Sequence, residues 1–181
     1  MASKTKKYSI AICGLEPEDV RRTKEEIKED LYLILKKYIE LGFKYFTIGL
    51  ERGSSMWAGE VVLSLKVEYP DIKLICVDPS KDNHLYFETK DSNFVELDED
   101  FSEKGPVENS SFLYDVLAKG CDLYVSIFDE YNTRAEKLKN EWILNKTSIL
   151  VAVNLPGIKG KTKNMVDCAT KKGLKVHTIN G

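Results

Sequence analysis

An α/β protein with a doubly wound, mostly parallel sheet is what the sequence predicts, on three observations. Short apolar runs of strand length recur along the chain, segments of helical period separate them, and several of the runs end in glycine. Apolar strands joined through helices belong to a parallel sheet covered on both faces, not to a set of hairpins. At 181 residues the chain is long enough for one sizeable core and short for two. No linker divides it, so a single domain over 1–181 is expected.

The first strand is Tyr8 to Cys13 (YSIAIC), closed by Gly14. Glu18 and Asp19 then place acids where a helix dipole favours them, predicting a helix from there to about Leu41. Ile27, Leu31, Ile34, Leu35 and Tyr38 repeat at helical spacing, and Gly42 supplies the stop. Tyr45 to Ile48 is the second strand, ending at Gly49, and Ser54 or Ser55 is the expected cap of a helix to about Tyr69, before Pro70. Lys73 to Val77 is the third strand. Around 79–106 the pattern blurs into a polar surface excursion holding the acidic run Glu96 to Asp100, too long for a simple connection. Order resumes with a helix from Val107 to Lys119, a strand from Leu123 to Phe128, and a helix from about Asn132 to Lys146. The strand Ile149 to Val153, a helix from about Lys163 to Lys172 and a last strand Lys175 to Ile179 complete the chain. Right-handed crossovers make a Rossmann-like sheet with helices on both faces the economical topology.

Such sheets hold ligands beyond the carboxyl ends of their strands. Three strand ends carry glycine here: Gly14, Gly49 with Gly53, and Gly157 with Gly160. Glycine at a strand end lets backbone approach a ligand closely, and three such ends at one edge favour a binding site over three unrelated tight turns.

Composition narrows the partners. Lys plus Arg number 27 against 29 Asp plus Glu, a formal charge of −2, so nothing global draws the chain to nucleic acid, and a nucleic-acid partner is not expected. No window approaches the ~18 apolar residues of a membrane span, and the start of the chain lacks an apolar leader core, so a cytoplasmic location is expected. Cys13, Cys76, Cys121 and Cys168 are widely spaced, without CxxC pairing, and read as buried reduced thiols. With only His84 and His177 to assist them, no metal site is expected.

The stretch Ile149 to Gly173 presents strand, Gly160-Lys161-Thr162 and helix in the order of a nucleotide-triphosphate P-loop. The spacing denies it. The glycine required five residues before Gly160 is Leu155, and Pro156 removes a backbone N–H that a phosphate cradle would use. What survives is a helix start with Thr162 as its expected cap, flanked by Lys159, Lys161 and Lys163, a plausible contact for an anion.

Several ordered pieces resemble a known family. Gly49-x-x-x-Gly53 leads into Met56-Trp57-Ala58 and Glu60; Glu68-Tyr69-Pro70-Asp71 precedes the third strand; Asn140-Glu141-Trp142 precedes the fifth. Gly157-x-x-Gly160-x-Thr162 then opens a helix with Ala169-x-x-x-Gly173. In this order they resemble the YpsA-like branch of the SLOG superfamily, Rossmann-type relatives of DprA and LOG proteins. The resemblance implies a nucleotide or nucleotide-derived ligand bound between glycine loops, with Gly49 and Gly53 in the first loop and Gly160 with Thr162 in the second. Together with the strand-end glycines this gives an expected binding set of Gly14, Gly49, Arg52, Gly53, Ser54, Ser55, Gly157, Gly160, Lys161 and Thr162.

The chain also departs from the pattern. Leu50 replaces the second of a paired glycine, Ser55 stands where an acid is usual, and Lys161 takes the middle place of Gly-Gly-Thr. Gly14-Leu15-Glu16 puts an acid where the first loop usually has a cation, leaving Arg52 and Lys161 as the replacement charges. Asp167 is the only acid in the helix after Thr162 and does not align with the LOG glutamate. No Ser/His/acid arrangement is present, so no catalytic residue is assigned. The expected function is ligand binding or sensing. The alternatives are a nucleosidase or phosphoribohydrolase, or a protein-interaction module using the acidic excursion, and a protein partner or homo-oligomer is compatible with all three.

Overall fold

The computed structural model describes residues 4–85 and 110–181. Its strands are β1 Ser9–Gly14, β2 Tyr45–Gly49, β3 Lys73–Ser80, β4 Leu123–Phe128, β5 Ile149–Asn154 and β6 Lys175–Asn180. Its helices are α1 Lys4–Lys7, α2 Lys24–Glu40, α3 Ser54–Glu68, α4 Ser110–Gly120, α5 Ala135–Lys146 and α6 Lys161–Lys171. The strands form one sheet in the order β4-β3-β2-β1-β5-β6, parallel at every pairing. The chain steps outward from β1 to β4, then returns to lay β5 along the other side of β1. The strand order therefore reverses between β1 and β5, where a doubly wound sheet opens its ligand crevice.

The alternation within β1 builds two cores. Ile10 and Ile12 point into a cluster with Ile27, Leu31 and Leu35 of α2 and Val61, Val62 and Leu65 of α3. Ala11 and Cys13 point the other way, into a cluster with Ile143 and Leu144 of α5 and Met165 and Ala169 of α6. Each fully buried Leu or Ile contributes about 1.5–3 kcal/mol relative to leaving it exposed. The small side chains of Ala11, Cys13 and Ala152 on the second face let α5 and α6 lie close to the strand ends.

Several boundaries differ from the sequence expectation, each for a physical reason. The helix expected from Glu18 begins at Lys24, because Thr23 and Glu26 form a reciprocal capping box: Thr23 Oγ1 accepts from the Glu26 N–H and Glu26 accepts from the Thr23 N–H. The acids that read as a first turn lie in a turn closed by Asp19 N–H to Glu16 O at 3.0 Å. Thr23→Ala is expected to cost about 1 kcal/mol and to lower the melting temperature by about 2–4 °C, measured by thermal unfolding.

β3 runs three residues past the expected Val77 because Asp78 is a buried strand residue rather than a strand end. Its carboxylate accepts from Tyr114 Oη at 2.5 Å, Tyr124 Oη at 2.8 Å and Asn83 Nδ2 at 2.7 Å. Burial pushes the Asp78 pKa up, and these hydrogen bonds oppose the shift. The helix expected from Val107 is described from Ser110; residues 107–109 and most of the excursion, with its acidic run, lie outside the described residues. The last helix starts at Lys161 rather than Lys163.

Of the cysteines expected to be buried, Cys13 and Cys76 are buried, Cys121 is half-buried and Cys168 is exposed on α6. None is in a disulfide. Among the described residues no helix is long and apolar enough to cross a membrane.

Candidate functional site

Both glycine loops end in helices whose N-cap is glycine, with no side-chain cap among the described residues. Gly53, not Ser54 or Ser55, is the N-cap of α3, at φ 84°; Gly160, not Thr162, is the N-cap of α6, at φ 142°. At α3 the Ser54 N–H goes to the Leu15 carbonyl at 3.0 Å, whereas the first turn of α6 has no side-chain capping hydrogen bond among the described residues, leaving its N–H groups for other partners. Thr162 lies inside the first turn of α6 and is buried.

These starts, with the end of β1, enclose two adjoining cavities. One, of about 230 Å³, is lined by Gly14, Glu16, Glu51, Ser55, Lys161 and Thr162, among others. The other, of about 210 Å³, is lined by Glu51, Arg52, Asn83, Tyr131, Glu136 and Lys139, among others. Glu16, Glu51 and Lys161 line both. Neither alone reaches the ~300 Å³ of a typical small-molecule site, whereas joined they do.

Of the expected binding set, Gly14, Ser55, Gly160, Lys161 and Thr162 line the first cavity, and Arg52 lines the second with Lys161. Gly49, Gly53, Ser54 and Gly157 line neither. A Cβ on Gly14 would run into the Ser54 Cβ, and one on Gly49 into the Glu51 carboxylate. Both glycines thus serve close packing within the protein, one letting α3 abut β1 and the other letting Glu51 fold back over β2. Ser54 is fully buried, and its hydroxyl has no hydrogen-bond partner among the described residues. Gly157 and Gly160 have open space around them and are needed for their positive φ alone.

The departures from the family pattern take definite positions. Leu50 is buried in the core with α2 and α3, so its bulk is absorbed by packing. Arg52 is engaged by Glu18 at 2.9 Å and Ser110 Oγ at 3.4 Å. Lys161 is exposed and makes no ion pair among the described residues, which leaves it as a cation facing both cavities.

The residues missed by sequence reasoning are the charged ones. Lys139, on α5, is completely buried, and its ammonium contacts Glu51 and, at 2.8 Å, Glu136. Burial, and then the positive charge of Lys161, lower the Lys139 pKa from the ordinary lysine value, and Cys13 opposes the shift. Burial raises the pKa of Glu136 and pushes Cys13, which faces Lys139, up to about 12. Perturbed titratable groups gathered in a cleft mark a candidate functional site. One signal pointed to Lys139: with Ala135 and Ile143 it falls on a single i, i+4 stripe of α5 that is otherwise buried, an unusual place for a lysine.

The two histidines lie elsewhere. His177 faces Tyr38 Oη at 3.4 Å and His84 Nδ1 faces the Lys81 carbonyl at 3.0 Å. Trp57 is buried in the first core and Trp142 packs against the second. Among the described residues no group of three or more His, Cys, Asp or Glu could hold a metal ion.

The strand order and the crevice define an α/β protein of Rossmann-like class whose candidate site spans the switch point. The family model described as the YspA SLOG family matches residues 6–180, and the chain belongs to that family. It is 30% identical over 172 residues to a UPF0398 protein of Bacillus cereus strain G9842, covering 91% of this chain and 83% of that one. A UPF0398 protein of Bacillus thuringiensis strain Al Hakam is similar to the same degree. Among solved structures, DNA processing protein A of Helicobacter pylori, described for its single-stranded DNA binding mode, superposes with a TM-score of 0.56. It shares 12% identity, over 95% of this chain and 66% of that one. That likeness shows the fold.

Proposed function

We propose that the crevice binds a nucleotide or nucleotide-derived molecule, with a phosphate at the start of α6 and the remainder extending across the joined cavities. The observation that carries this is the conjunction at Gly160-Lys161: a helix start without a side-chain cap, a lysine with no ion pair among the described residues, and the switch point of the sheet. Glu16 and Glu51 along the same crevice suit ribose hydroxyl donors, and Tyr131 suits a base. The reading is one of binding or sensing, and no reaction is proposed.

Thermal shift with AMP, ADP-ribose and NAD at millimolar concentration tests it. A ligand at a hundred times its Kd stabilises by about 2.7 kcal/mol, a shift of roughly 5–10 °C for a chain of this size. Lys161→Ala is expected to remove most of that shift while leaving the unliganded melting temperature within about 1 °C. No stabilisation by any of the three would overturn the reading. The DNA-binding description of the Helicobacter protein weakens the expectation against nucleic acid, so a short single-stranded oligonucleotide belongs in the same panel. A shift with the oligonucleotide alone, declining steeply with salt, would redirect the proposal to nucleic acid.

A further inference from the structure

Glu51 stands at the junction of the two cavities. It lies over Gly49, where a side chain would collide with its carboxylate, and its Oε1 meets the Lys139 ammonium. Lys139 lines only the second cavity, whereas Lys161 faces both. Glu51 remains 28% exposed at its side chain while Lys139 is 1% exposed, so the carboxylate is the open half of this contact and the ammonium the enclosed half. Glu136 contacts Lys139 from its own helix, three residues away, at 2.8 Å, a second carboxylate partner independent of Glu51.

We propose that Lys139 and Lys161 form a second phosphate-binding position, and that the Glu51 carboxylate occupies it until the anionic group of a ligand takes its place. The inference rests on the proposed nucleotide reading and adds the ligand class, a molecule with more than one phosphate or a diphosphate bridge. The first phosphate sits at the start of α6, and the second displaces Glu51 and joins the two cavities. Three observations support this. Glu51 is carried on the segment between Gly49 and Gly53 rather than within a helix or strand. The two lysines line the same cavity. The cavities are too small to hold such a ligand separately.

Calorimetric titration of the full chain with ADP, inorganic pyrophosphate and adenosine tests the proposal. Glu51→Gln removes the competing charge, so ADP and pyrophosphate are expected to bind at least about tenfold more tightly, and adenosine unchanged. Glu51→Asp, which keeps the charge but not the reach, is expected to shift affinity in the same direction and serves if the glutamine variant does not fold. Adding Lys139→Met to Glu51→Gln is expected to cancel the gain. If wild type binds ADP and either folded Glu51 variant binds it no more tightly, Glu51 is not a stand-in for phosphate and this inference falls while the nucleotide reading stands. If neither wild type nor the variants bind ADP or pyrophosphate, this inference falls, and the nucleotide reading falls with it only if AMP, ADP-ribose and NAD also fail.

Discussion

Gly53→Val is expected to destabilise the protein by about 3 kcal/mol or more, at a position that looks like an ordinary loop glycine. Gly53 combines φ 84° with ψ −135°, a region outside the left-handed helical well and essentially restricted to glycine. Space forbids the substitution as well as conformation. A Cβ there would lie 2.6 Å from the Leu15 carbonyl oxygen and 2.9 Å from Pro17 Cδ, and the first of these is backbone that cannot swing aside. That same carbonyl accepts the Ser54 N–H at 3.0 Å, the bond that ties the start of α3 to the end of β1. Asparagine, which tolerates the left-handed helical region, is not expected to rescue the position, because ψ is wrong for it. Gly157→Ala is the control: φ is again 84°, yet nothing lies within 4 Å, so only the backbone strain of about 1 kcal/mol remains. Urea denaturation of the three proteins separates the terms. A Gly53→Val protein within 0.5 kcal/mol of wild type would show that the loop re-forms without its close contact.

The contrast between Gly53 and Gly157 shows how much a sequence can say about such a site. The glycine loops, the strands before them and the helices after them were legible, because apolar runs and chain breakers are local signals. The capping was not legible. Ser54, Ser55 and Thr162 are all good N-cap residues by type, yet glycine takes both caps and the hydroxyl residues are drawn inside, Ser54 beneath Gly14 and Thr162 within the first turn of α6. At α2 the acids at 18 and 19 imitated a first turn, but the reciprocal pair Thr23–Glu26 satisfies two backbone donors at once and fixes the start. The charged centre of the site was the least legible part. Glu51 comes from the loop after β2, and Glu136 and Lys139 from a helix 85 residues further along. Glu51 and Glu136 each read as solvated charges, and only the laying of α5 across β1 to β4 brings them to Lys139.

Lys139→Met tests that centre most directly and is expected to cost about 3–5 kcal/mol, the usual penalty for removing one partner of a buried ion pair. The penalty arises less from a lost attraction than from what remains: Glu51 and Glu136, facing each other with no cation between them. The triple variant Glu51→Gln, Glu136→Gln, Lys139→Met removes every charge in the cluster and is therefore expected to recover to within about 1–2 kcal/mol of wild type. The pH dependence supplies an independent sign. Burial already raises the Glu136 pKa, and withdrawal of the ammonium raises it further. In that case the folded single variant binds more protons than the unfolded chain, so its stability is fullest below the unfolded carboxylate pKa and is lost as pH rises through the folded value. The gap between Lys139→Met and wild type is thus expected to be narrower near pH 5 than at pH 8 in urea denaturation, with the triple variant free of this trend. If the single variant is as stable as wild type at pH 8, the lysine carries no burial constraint. If the triple variant is as unstable as the single one, the cost lies in packing around the methionine rather than in stranded charge.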